Sequence, residues 1–152
     1  MFLNYDKPEK SISKVNTIHL LSLFMQIALI LIAYFVNIKR ENFIVTNQDT
    51  LIYLQYFSIL LVMAVIPLSE YMIKQKLKKA LLMENINDRI EFYIMAIIIK
   101  LGLIEFINLL IIVIYFLTGH KTYLYISAIL ALFFLLSKPG KEKVFNDLGL
   151  NN

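Results

Sequence analysis

Polar and charged side chains gather into short blocks along this chain, and long uninterrupted apolar runs separate the blocks. The first run, residues 18–38, has 21 residues and no Asp, Glu, Lys or Arg. A helix needs about 20 residues to cross a hydrocarbon core, so the run predicts a membrane-crossing helix. It ends in Tyr34-Phe35-Val36-Asn37-Ile38 against Lys39-Arg40 and offers no small-residue cleavage site, so an uncleaved span is expected. Ser11 or Ser13 is expected to cap a short lead-in helix. After a polar linker, Asn47, Asp49 or Thr50 can cap a second span over residues 51–73. Pro67 lacks an N–H and its ring clashes with the preceding turn, so it should bend or loosen that span about a turn before its end.

Residues 74–90 form the most charged stretch, with Lys74, Lys76, Lys78, Lys79 and Arg89 against Glu84 and Asp88. Ile73, Leu77, Ala80 and Leu81 recur at helical spacing, which predicts an amphipathic cytoplasmic loop into which the second helix continues as a stem. The turn is expected at residues 85–88, with Asn87 or Asp88 capping the next helix; a single broken surface helix through Glu91 is the alternative. The third span is expected over residues 92–117. Its apolar stretch from Ile90 has 28 residues, or about 42 Å of helix, so the first turns should stand outside the hydrocarbon. Gly119 suits a left-handed C-cap in the loop at residues 118–122. The last run, residues 123–137, has only 15 residues and calls for local thinning, tilt, or outward snorkelling of Lys121 and Lys138. Pro139-Gly140 should end it. In the tail, residues 138–152, Lys141, Val144, Phe145 and Leu148 are spaced for a short amphipathic helix on the membrane surface or against the basic stem, the alternative being an unstructured tail.

Composition strengthens this pattern. Hydrophobic residues make up 59% of the 152 positions and charged residues 17%, whereas a soluble domain carries about a quarter charged. The expected fold is therefore all-α: a polytopic membrane protein forming one four-helix transmembrane bundle over residues 1–152. With no Cys, disulfides, thiol nucleophiles and thiolate metal sites are excluded. The two histidines, His19 and His120, fall near opposite ends of the spans. The net charge of +4 does not point to nucleic acid, because the basic residues flank the apolar runs.

Eleven basic residues lie on one side of the expected spans: Lys7, Lys10 and Lys14, the five of the central loop, and Lys138, Lys141 and Lys143. Three lie on the other, Lys39, Arg40 and Lys121, and Lys100 falls within a span. Basic residues of short loops stay cytoplasmic, so both termini should be inside. Tyr34, Tyr53, Tyr115, Tyr123 and Tyr125 are expected near the outer interface, Tyr71 and Tyr93 near the inner one.

Charge inside a span is costly, about 2.5–3.5 kcal/mol for Lys or Asp at a helix centre. The intramembrane polar candidates are Glu70, Lys100, Glu105 and Asn108, with Pro67 beside them. Lys100 and Glu105 are five apart, roughly 140° around a helix, so each needs a partner elsewhere. Counting inward from the central loop sets Glu70 at the depth of Lys100, and that pair is expected. Glu105 is then left in apolar surroundings, with Gly102 and Asn108 three residues to either side as a narrow polar face for another helix. The plainer reading is that these groups only bond helices together, and that Lys100 snorkels to the inner surface. A Glu105 able to take up and release a proton is the basis of a transport reading. Ser58, Ser69, Ser127 and Ser137 have no histidine near them in sequence, and no metal-binding, phosphate-loop or catalytic spacing occurs, so no enzyme activity and no cofactor are indicated. Four glycines, one of them within a span, do not suit the close-packed hairpins of a proton-carrying rotor.

The stretch Lys100-Leu101-Gly102-Leu103-Ile104-Glu105-Phe106-Ile107-Asn108, followed by Phe116-Leu117-Thr118-Gly119-His120, resembles a pattern in small uncharacterised inner-membrane proteins of Bacteroidota-type bacteria. Lys138-Pro139-Gly140-Lys141-Glu142-Lys143 with Asp147-Leu148 is similar to their basic tail, although Lys138 stands where Arg is usual. The likeness covers about the last third of the chain. It implies four helices and a bacterial inner membrane, and no mechanism. The expected role is thus an accessory or assembly subunit of a membrane complex, or a self-associating bundle, with the lipid bilayer and a second copy or another membrane protein as partners. The rival is a small proton-coupled or ion-conducting transporter using Glu105.

Overall fold

The computed structural model describes residues 6–40, 42–138 and 140–150, and these are all-α. Pro139, expected to end the last long helix, lies outside the described residues, as do Asn151, Asn152 and the side chains of residues 6–9, Lys7 among them. Five helices follow in order: α1 (Asp6–Ile38), α2 (Gln48–Leu81), α3 (Ile86–Thr118), α4 (Lys121–Leu136) and α5 (Lys141–Asp147). α1, α2 and α3 are each long and apolar enough to cross a membrane, and α4 with α5, bent by 70° at their break, qualify only as a pair.

α3 is the axis of the bundle, packing against α1, α2 and α4. Apolar side chains surround it on every side, and it buries residues on most of its circumference, from Ile90 to Thr118. The outer helices invert the arrangement of a soluble bundle. In α1 the buried positions are Ile12, Val15, His19, Gln26, Ala33 and Asn37, while Leu21, Phe24, Ile32 and Phe35 point away. α2 likewise buries Ser58, Val65, Ser69 and Ala80 and exposes Tyr53, Leu60 and Met63. Small and polar residues therefore line the seams, where they allow close approach and mutual hydrogen bonding, and large apolar ones cover the outside.

Several local expectations need revision. α1 begins at Asp6, so Ser11 and Ser13 lie within it and cap nothing. α2 runs through Pro67 and on to Leu81, so the proline interrupts one hydrogen bond far from the helix end. The charged stretch at residues 74–90 is mostly helix, with its turn only at residues 82–85. Asn85, rather than Asn87 or Asp88, caps α3 by accepting from the Asn87 N–H at 3.0 Å. Arg89 reaches back to the Met83 carbonyl at 2.7 Å and fixes that turn. At the start of α2, Asn47 accepts from the N–H groups of Asp49 and Thr50. Tyr115 and Tyr123 are buried within the bundle.

The free carbonyls at the end of α3 are met by the linker after α1. Tyr115 O accepts from Gly119 N at 2.8 Å and from Asn37 Nδ2 at 2.9 Å. Phe116 O accepts from Arg40, and Leu117 O from the N–H groups of Ile44 and Val45. Gly119 takes φ +67°, with the Phe43 ring where a Cβ would stand. A helix terminus leaves its last carbonyls unpaired, and here one strap satisfies two of them and gives a third a second bond. At the opposite end α5 folds back with Val144, Phe145 and Leu148 buried, and Tyr93 Oη donates to Asp147 Oδ2 at 2.5 Å. The short tail helix thus packs its apolar side into the bundle end. The contacts His19–Phe134 and Tyr93–Asp147 bring the early part of α1, the start of α3, the end of α4 and α5 to one end of the molecule.

Candidate functional site

Three polar groupings lie along α3. Nearest the α2–α3 turn, Lys100 Nζ donates to Glu70 Oε1, the pair expected from counting inward along two antiparallel helices. The Lys100 side chain is 9% exposed and that of Glu70 45%, so the ammonium sits inside while the carboxylate opens to a recess. The ring of Phe133 lies 5.8 Å from Nζ, so α4 closes over a lysine that does not snorkel freely. Pro67 is exposed on α2 one turn before Glu70, and Ser69 Oγ donates to the Ile66 carbonyl at 2.8 Å.

The second grouping is the centre of the bundle. Asn108 is fully buried; its Nδ2 donates to Gln26 Oε1 at 2.9 Å and its Oδ1 accepts from Ser127 Oγ at 2.6 Å. One amide so ties α1, α3 and α4 together. Gln26 Nε2 makes no bond among the described residues. Further along α1, His19 is fully buried, stacks on Phe134 at 4.6 Å and shares a 2.8 Å hydrogen bond between Nε2 and the Phe134 carbonyl. Gln26 was not singled out from sequence, and His19 only as one of two histidines, although both interrupt an otherwise apolar run.

Glu105 stands apart. The expected polar face of Gly102, Glu105 and Asn108 is divided: Asn108 turns into the core, Gly102 is on the outer surface, and Glu105 is half-buried at the edge between them. Three residues on a helix advance about 300°, or 60° short of a full turn, enough to carry one end of such a set inward and the other outward. Among the described residues Glu105 makes no hydrogen bond or ion pair with a side chain. A Cβ built on Gly102 meets nothing within 4 Å, so this stretch of α3 is open to a neighbour.

No protein-family model, curated protein sequence or solved structure matches this chain. Among the described residues no three His, Cys, Asp or Glu side chains are grouped to hold a metal ion. The interior polar groups are spent largely on one another, which makes them fasteners between helices. Glu105 makes no such bond, and Asn16 Oδ1, His19 Nδ1, Gln26 Nε2 and Asn37 Oδ1 are also without a partner among the described residues.

Proposed function

We propose that this protein is a four-span bundle of a bacterial cytoplasmic membrane, both termini inside, that serves as an accessory or assembly subunit by docking a further transmembrane helix against α3. The crossing of α4, with 16 residues, is the shortest of the four. Support for the orientation comes from the eleven-to-three distribution of basic residues, together with the gathering of early α1, the α2–α3 turn and α5 at one end. The observation that carries the docking role is Glu105, a carboxyl without a bonding partner among the described residues, half-buried beside an open Gly102. A polar group facing hydrocarbon is stabilised by a donor on a neighbouring helix, and a glycine one turn away lets that helix come close.

The test pairs two substitutions with opposite effects on the free bundle and the complex. G102A adds a methyl to empty space and should raise the stability of the isolated protein by roughly 0.5–1 kcal/mol, yet it should weaken the association seen by in-membrane cross-linking at α3. E105A should release the associated helix, and E105Q should keep part of the association, because an amide still accepts and donates. Proton or cation flux in reconstituted vesicles that vanishes in E105Q would refute the docking role and establish the transporter.

A further inference from the structure

At the end of the bundle that carries the α2–α3 turn, residues of α2, α3, α4 and α5 line a small recess open to the surface. Its polar lining is Glu70, Tyr93, Lys100, Ser137, Lys138 and Lys143. Of the acids at this end, Glu70 is engaged by Lys100 and Asp147 by Tyr93 at 2.5 Å, and Glu142 is exposed outside the lining. Lys138 and Lys143 are exposed and make no ion pair among the described residues. The recess therefore holds three ammonium groups against one lining carboxylate. We infer that it binds a phosphate ester anion through Lys138 and Lys143, the headgroup of an anionic phospholipid being the source that its position favours.

Position is the second line of argument. Glu70, Tyr93 and Ser137 lie within about a turn of where the apolar runs at residues 51–73, 92–117 and 123–137 end. That is the level at which lipid phosphates sit, and basic pockets between helices on the cytoplasmic side suit anionic headgroups. Lys100 is held back by Glu70 and shapes the floor, leaving the two exposed lysines free to turn toward a ligand. Ser137 Oγ donates to the Phe133 carbonyl at 2.9 Å, so its hydroxyl proton is spent and the lysines supply the donors. This inference uses the membrane placement proposed above and is independent of the role of Glu105.

The full-length protein in mild detergent, offered phosphatidylglycerol and phosphatidylcholine, would be examined by native mass spectrometry. Phosphatidylglycerol should be retained in preference. K138Q/K143Q should lower its affinity roughly 30-fold, from about fivefold per lysine near an anionic surface. K78Q/K79Q removes the same charge from the exposed end of α2, outside the recess, and should change retention less than threefold. Both pairs of variants fold as the parent does, because none of the four lysines has an ion-pair partner among the described residues. If millimolar inorganic phosphate displaces the lipid and raises Tm in the parent but not in K138Q/K143Q, the anion site stands with a soluble ligand as its source. Equal losses in the two variants overturn the site in favour of general surface charge. So does equal retention of the two lipids with no phosphate effect on Tm.

Discussion

Replacing Asn108 by leucine removes two hydrogen bonds at once while keeping the branched shape of the side chain. The side chain is fully buried, and so is Gln26, whose Nε2 is already without a partner among the described residues. Losing the 2.9 Å bond leaves the whole Gln26 amide unpaired, whereas Ser127 loses its 2.6 Å bond and can turn its hydroxyl to a carbonyl in the preceding turn of its own helix. Interhelical hydrogen bonds in a membrane bundle contribute about 0.6 kcal/mol on average and about 1.7 at most. The two together should therefore contribute about 1–3 kcal/mol, with the Gln26 bond the larger share because its loss is not repaired. The assay is reversible unfolding in mixed micelles of mild detergent and dodecyl sulfate, applied to N108L, Q26L and the double variant. Q26L/N108L should be less destabilised than the sum of the single variants, by about 1 kcal/mol. S127A/N108L should show a smaller coupling. If Q26L and N108L add to within about 0.3–0.5 kcal/mol, the pair is not coupled and the centre of the bundle is held by packing alone.

G119A should cost about 2–4 kcal/mol: about 1–2 for an alanine in the left-handed region, the rest from displacing the Phe43 ring, which occupies the place of the added Cβ; thermal unfolding in detergent measures it. E70Q should lower the amount of folded protein more than K100Q, because it strands an ammonium 9% exposed whereas K100Q strands a carboxylate 45% exposed and screened by solvent. E70K/K100E should recover part of either loss, and equal accumulation of all three variants would show that the two side chains act separately. A cytoplasm-only reporter fused after Leu82 should give signal and one fused after Gly119 should not; the reverse pattern overturns the orientation read from the basic residues.

The helices were legible because their cause is local. Predominantly apolar runs of 15 to 28 residues with charged blocks between them leave little freedom in where helices form. The Glu70–Lys100 pair was legible for a related reason, since two helices joined by a short turn fix relative depth by simple counting. Depth was readable; azimuth was not. Placing Gly102, Glu105 and Asn108 on one face required knowing which side of α3 meets the other helices, and apolar residues all around α3 hide that. The strap from Asn37 to Val45 was missed because it bonds to carbonyls that belong to a helix about 75 residues later, and backbone acceptors leave no trace in a residue pattern.

A better rule for azimuth was available in the outer helices. A soluble helix shows its buried side by its apolar residues, but a lipid-facing helix is apolar everywhere that does not matter. Its polar positions are the informative ones, because each is stabilised only by a partner inside the bundle. In α1 those are His19, Gln26 and Asn37, and together with Ala33 they follow one stripe at intervals of seven, seven and four residues. In α2 the buried stripe is Ser58, Ser69 and Ala80, eleven residues apart each time, with both hydroxyls donating to carbonyls of their own helix. Gln55, exposed about a turn into the second span, is near enough to the interface to reach water instead. Applied to α3, the same rule assigns Lys100 and Asn108 to the interior, each with a bonded partner. It would assign Glu105 there too, and in the free bundle Glu105 sits at the edge with none. The rule holds for Gln26, Lys100 and Asn108 and fails at Glu105 between the last two, a departure that the docking role proposed above would remove. On that proposal the donor to Glu105 belongs to a helix outside this chain, at the depth of Glu105 and within reach of Gly102.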